Sequence, residues 1–94
     1  MKSIIQNDHD CWLCKKLGMT VYGTDLHHML HGTFRRKLAD EDGLTVYLCR
    51  THHTALHDKG LYDLPLQKEA QQAWMDYYNK SVEDFIKRYG KSYL

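Results

Sequence analysis

The sequence predicts a small α+β domain in which two short antiparallel strands and a helix form the core, with two C-terminal helices packed behind it. Three observations predict it. β-Branched and aromatic residues collect in two short runs, 22–29 and 44–48, each beside a turn signal, Gly23 and Asp42-Gly43 respectively. Beyond residue 50, apolar residues recur at helical spacing almost to the C-terminus. Cysteines and histidines fall in three groups: Cys11-x-x-Cys14, His27-His28, and the run from Cys49 to His57, which holds one thiol and three imidazoles.

Each element has its own signal. Residues 11–14 read as a tight knuckle. The first strand, 22–29, runs into the histidine doublet. Residues 32–42 read as a loop, with one helical turn around 34–38, so the strands are joined by more than a tight hairpin. The second strand, 44–48, ends at Cys49. A helix over 51–59 follows, ended by Gly60. A second helix, 66–79, carries Leu66, Ala70, Ala73, Trp74 and Tyr77 on one face. Ser81 is placed to cap a third helix, with Asp84 in its first turn and Gly90 to stop it after Tyr89.

Composition narrows the class. Ninety-four residues are expected to form a single domain, 1–94, with a modest core. There is no apolar run of about 18 residues to span a membrane, and the first residues lack the apolar stretch of a signal peptide. The expected setting is therefore the reducing cytoplasm, which suits an odd number of cysteines better than a disulfide framework does. A net charge of +1 excludes bulk attraction to nucleic acid. The cations are clustered, however, in Arg35-Arg36-Lys37 and in Lys87, Arg88 and Lys91. Such clusters are commonly plain solvated surface. Histidine is the anomaly: there are seven, and all but His9 lie between positions 27 and 57.

A Cys-x-x-Cys knuckle offers two thiolates at the bite a tetrahedral ion requires, and Cys49-x-x-His52 completes a Cys3His zinc site with no cysteine left over. A thioredoxin-like redox pair at Cys11 and Cys14 would need a βαβ context and would leave Cys49 unexplained. Three free buried cysteines are the other alternative. On the following helix His53 and His57 stand at i and i+4, on one face, while His52 is rotated about 100° from His53. Adjacent strand residues face opposite ways. One histidine of the doublet can therefore join His53 and His57 around a second ion, and its neighbour stays unligated, free to deprotonate water. Ordinary hydrogen-bonded histidines are the competing reading.

Taken together, Cys11-x-x-Cys14, His27-His28 and Gly43-Leu44-x-Val46-x-Leu48-Cys49-x-x-His52-His53 resemble the HNH, or ββα-metal, nucleases of phages and bacteria. The resemblance covers nearly the whole chain. Its ending, Tyr89-Gly90-Lys91-Ser92-Tyr93-Leu94, is similar to that of small phage-type members. The resemblance implies a zinc-stabilised ββα-metal core and a DNA endonuclease that holds one divalent ion at the scissile phosphate. His28 matches the general base and His27 the metal-ligand position before it. His53 and His57 match ligands on the helix, and Asp25, two residues before His27, is a weaker ligand candidate. The central asparagine of the family is missing, which leaves Asp40 or Asp42 for its bracing role. His31, Arg35 and Arg36 become candidates for contacting phosphate oxygens, the arginines offsetting charge in the transition state. The second ion could be Mg²⁺, Mn²⁺, Ni²⁺, Co²⁺ or Zn²⁺, with nitrogen ligands suiting Mg²⁺ least. The alternative is a zinc-stabilised nucleic-acid-binding module without catalysis, such as a phage accessory protein.

Overall fold

The first helix of the computed structural model, which describes all 94 residues, is opened by a cysteine. Cys11 accepts a hydrogen bond from the Cys14 amide at 3.4 Å, capping α1 (Trp12–Lys16). Strand β1 (Asp25–His28) pairs antiparallel with β2 (Thr45–Leu48), placing Leu26 opposite Tyr47, His27 opposite Val46 and His28 opposite Thr45. Between the strands lies α2 (Thr33–Asp42), and after them come α3 (Arg50–Lys59), α4 (Asp63–Tyr78) and α5 (Val82–Tyr89). The α+β class and the strand–strand–helix order with two helices behind are as expected. One apolar cluster joins Leu44, Val46 and Leu48 to Leu56 of α3, to Leu66, Ala70 and Trp74 of α4, and to Phe85 and Tyr89 of α5. No helix is long and apolar enough to cross a membrane.

Three expectations need correction. Residues 32–42 are not a loop: Thr33–Asp42 is a ten-residue helix. Its only buried residues are Ala39 and Asp42, so no apolar stripe announces it, although Arg, Lys, Leu and Ala are good helix formers. The first strand begins at Asp25, because the chain before it pairs with the N-terminal segment instead. The Gly23 amide donates to the His9 carbonyl at 2.8 Å, and Tyr22 bridges Asp10. A Cβ at Gly23 would lie 2.5 Å from Cβ of Tyr47, so only glycine permits this crossing. Finally, α4 starts at Asp63, with Pro65 in the first turn, where its missing N–H leaves no bond unmade. The buried stripe of α4 is Leu66, Ala70, Gln71 and Trp74, and Tyr77 is 59% exposed.

Asp42 ties these helices together. Its carboxylate accepts from Trp74 Nε1 (2.9 Å), from Arg88 Nε and Nη2 (2.6 and 2.7 Å) and from the Tyr89 hydroxyl (2.6 Å). Gly43 follows in the left-handed region at φ 79°, and a Cβ there would lie 2.5 Å from the Lys2 carbonyl oxygen. The turn that positions Asp42 therefore requires glycine. At the other end of the chain, buried Gln71 accepts from the Tyr93 amide at 2.6 Å and anchors the C-terminal residues.

Candidate functional site

Cys11 and Cys14, from the start of α1, meet Cys49 and His52, from the start of α3, in one cluster whose ligand atoms lie within 4.8 Å of one another. The sulfurs of Cys14 and Cys49 are 3.8 Å apart, and His52 Nδ1 lies 3.5, 3.3 and 3.4 Å from the sulfurs of Cys11, Cys14 and Cys49. A tetrahedral zinc with bonds of about 2.3 Å to sulfur and about 2.0 Å to nitrogen requires edges of about 3.8 and about 3.5 Å. The four side chains therefore have the spacing to hold a metal ion.

Charge makes the same point. Burial opposes a thiolate at Cys11, but the amides of Cys14 and Cys49 and the His52 ring outweigh it and bring the pKa down to about 6. Burial, and then the neighbouring sulfurs of Cys11 and Cys49, push Cys14 up to about 12. All three sulfurs could be thiolates together only with a cation among them, and a dication held there would supply it.

The second cluster is built from β1 and the middle of α3. One ring nitrogen from each of His27, His53 and His57 lies within 4.8 Å of the others. The Nε2 atoms of His53 and His57 are 3.0 Å apart, within the roughly 2.8–3.4 Å that separates neighbouring nitrogen ligands on one ion. His53 Nδ1 donates to Asp25 Oδ2 at 2.9 Å, which leaves its Nε2 lone pair directed to the cluster. Asp25 is therefore an orienting carboxylate rather than a ligand. It is held in turn by Arg50 at 2.9 and 3.2 Å, and Arg50 and then His53 lower its pKa to about 2. His27 is 3% exposed, and its Nε2 is buried without a hydrogen-bond partner. Burial first, and then the imidazoles of His53, His31, His57 and His28, bring its pKa down to about 3, so it is the neutral form that a metal requires.

A cleft of about 820 Å³ opens over this cluster, and His28, His31, Arg36, Lys37 and Asp40 line it. His28 lies on the opposite face of β1 from His27, at the end of the strand, and both line the cleft. His28 Nε2 donates to Asp40 Oδ1 at 3.0 Å, which holds the Asp40 carboxyl below the usual range and leaves His28 Nδ1 as a free acceptor. Asp40 thus braces the site, whereas Asp42 is spent on the helix junction. His31 lines the cleft but is tied to Asp63 at 2.5 Å. Arg35 is not brought to the cleft: it turns away, and its Nε donates to the Tyr89 carbonyl at 2.8 Å. Arg36 and Lys37, on the other side of α2, are the cations that reach it. Of the two carboxylates offered for bracing, Asp40 is the one at the cleft, whereas Lys37 as a cleft cation and Asp25 as the partner of His53 were not expected. Lys37 was missed because residues 32–42 were expected to be a loop, and only helical spacing puts it on one side with Arg36 and Asp40.

The chain matches no family model, no curated protein and no solved structure.

Proposed function

We propose that this protein is a metal-dependent endonuclease of the HNH type, hydrolysing DNA phosphodiester bonds, with a structural zinc at Cys11, Cys14, Cys49 and His52. The observation that carries the reading is His27. It is a buried imidazole with an unpartnered nitrogen, grouped with His53 and His57 at the floor of a cationic cleft beside an unligated histidine. A buried polar atom without a partner is costly unless something occupies the position next to it.

His27, His53 and His57 would hold one divalent ion, whose chemistry is to polarise the phosphate and stabilise the leaving oxygen. The remaining work belongs to the side chains. His28, held by Asp40 through Nε2, takes a proton from the attacking water at Nδ1. Arg36 and Lys37 bind phosphate oxygens and keep the reacting group over the cluster. Asp25 and Arg50 fix the His53 ring so that its ligand nitrogen needs no reorganisation.

The test is nicking of supercoiled plasmid by the zinc-loaded protein with Mg²⁺, Mn²⁺, Co²⁺ or Ni²⁺ added in turn. Cleavage by the wild type, lowered about 10²- to 10⁴-fold in His28→Ala, is the expected result. DNA binding without cleavage under every metal would replace this reading with that of a non-catalytic zinc-stabilised binding module. One observation favours that second reading: no asparagine lies between His28 and His53.

A further inference from the structure

Outside both clusters, three rings form a stack on the surface. The His9 ring lies 3.5 Å from Tyr47 and 4.8 Å from Tyr22 between centroids, inclined by 24° and 5°. Tyr22 is 62% exposed. The stack is rigidly mounted. His9 Nδ1 donates to the Gly23 carbonyl at 3.1 Å, the Gly23 amide donates back to the His9 carbonyl, and Tyr22 bridges Asp10. The tight crossing at Gly23 brings this layer down onto Tyr47. An exposed tyrosine held parallel to two other rings buries little apolar area, so the arrangement contributes modestly to the core.

Its place relative to the cleft is defined by strand register. Tyr47 stands directly opposite Leu26, so the two side chains share one face of the sheet. Leu26 is 47% exposed and itself lines the cleft. His28 is two residues further along the same strand and on the same face, about 7 Å away. A continuous surface therefore runs from the ring stack across Leu26 to His28, with Arg36 and Lys37 beyond. Of the two carboxylates that flank His9 in sequence, Asp8 and Asp10, Lys15 neutralises Asp8.

We propose that the Tyr22–His9–Tyr47 stack is a base-stacking platform, on which an unpaired nucleotide a few positions from the cleaved phosphate lays its base over Tyr22. The preferred substrate is then DNA with single-stranded character beside the cleavage point. The chemistry is general: every base has a π face, and ordered aromatic rings bind it with little sequence preference. A base within a duplex has both faces covered by its neighbours and cannot use the platform. Because the rings are already parallel and anchored, no side chain has to be ordered on binding. This inference rests on the nucleic-acid reading above and adds the substrate class.

The experiment is fluorescence anisotropy with a labelled oligothymidylate of about a dozen nucleotides and, separately, a labelled duplex. Both use protein loaded with one zinc per chain and no other divalent ion, so that the second cluster stays empty and binding is read without cleavage. Tyr22→Ala is expected to weaken single-strand binding about 5- to 150-fold, the range for loss of one stacked base. Duplex binding should be unchanged, and Tyr22→Phe should retain wild-type behaviour. Circular dichroism and zinc content verify that both variants fold. An iodouridine-substituted oligonucleotide should photocrosslink to Tyr22. Equal weakening on single strand and duplex, or no weakening on either, overturns the platform. Wild type that binds neither probe overturns the platform and the nucleic-acid reading together. Tyr22-dependent single-strand binding without cleavage under any metal leaves the platform standing and removes only the nuclease reading.

Discussion

Successive helical residues point about 100° apart, and His52 and His53 turn that rotation into a division of labour. His52 faces three sulfurs, and His53 faces Asp25 and His57. His52→Ala is expected to lower thermal stability and zinc content. His53→Ala should stay folded with one zinc and lose affinity at the second cluster, which melting curves and metal counting will show. The reverse pattern would exchange the two roles. The histidine doublet makes a parallel case. If His27 is a ligand, excess metal should partly restore cleavage in His27→Ala by mass action. The same excess should do nothing for His28→Ala if, as proposed, the missing group is a proton acceptor. Rates measured against metal concentration for both variants decide it. The two clusters were legible in the sequence because spacing alone, Cys-x-x-Cys and i to i+4, brings their members together. The carboxylates were legible only in part: Asp40 was one of two offered for bracing and Asp25 was offered as a ligand, since which histidine a carboxylate orients is decided by packing between distant segments. Arg35 was misread for the same reason, because local sequence does not say which side of a helix will face a cleft.

The element that sequence periodicity missed, α2, is the one that organises the cleft. It carries Arg36, Lys37 and Asp40 along one side and ends at Asp42, which locks it to α4 and α5. Removing one partner of a buried charge network leaves the others unpaired, so Asp42→Ala should cost about 3 kcal/mol, measured by chemical denaturation. Tyr89, fully buried against that carboxylate, gives a pH test. Burial first, and then the hydrogen bond and charge of Asp42, raise its pKa above the usual tyrosine value. The unfolded chain therefore releases the hydroxyl proton near pH 10 while the native state still holds it. The native state binds more protons in that window, and stability falls as pH rises above about 10. Tyr89→Phe should flatten this alkaline limb, although it loses one hydrogen bond at neutral pH. An unchanged alkaline limb would mean that another group governs it. The terminal helices were easier to read. Ser81 and Asp84 form the capping box of α5, and Gly60 and Gly90 end their helices where expected.

At the scale of the whole molecule, 22 of 94 residues are buried, a modest core for a chain with five helices and two strands. Three of the four residues of the first cluster sit in or against that core, so a metal held there would act together with apolar packing. Stripping the metal with a chelator is expected to remove most of the secondary structure, read by circular dichroism, and re-adding zinc should restore it. A chelated protein that stays fully folded would show that the cluster is dispensable for folding. The shared first turn of α3 also has a consequence in time. His53 and His57 are presented together only on a helix whose opening turn is fixed by Cys49 and His52. Assembly is then expected to be ordered, the sulfur site closing first and the nitrogen site coming into being afterwards. Cobalt added stepwise to apoprotein should saturate the sulfur-to-metal absorption band before any spectrum of a nitrogen-bound ion grows in. Simultaneous growth of the two would mean that the sites form independently. In the ordered case a half-made chain, still without its fold, cannot yet hold an ion at the second cluster, and the hydrolytic chemistry proposed for that ion would wait until the scaffold that contains it is complete.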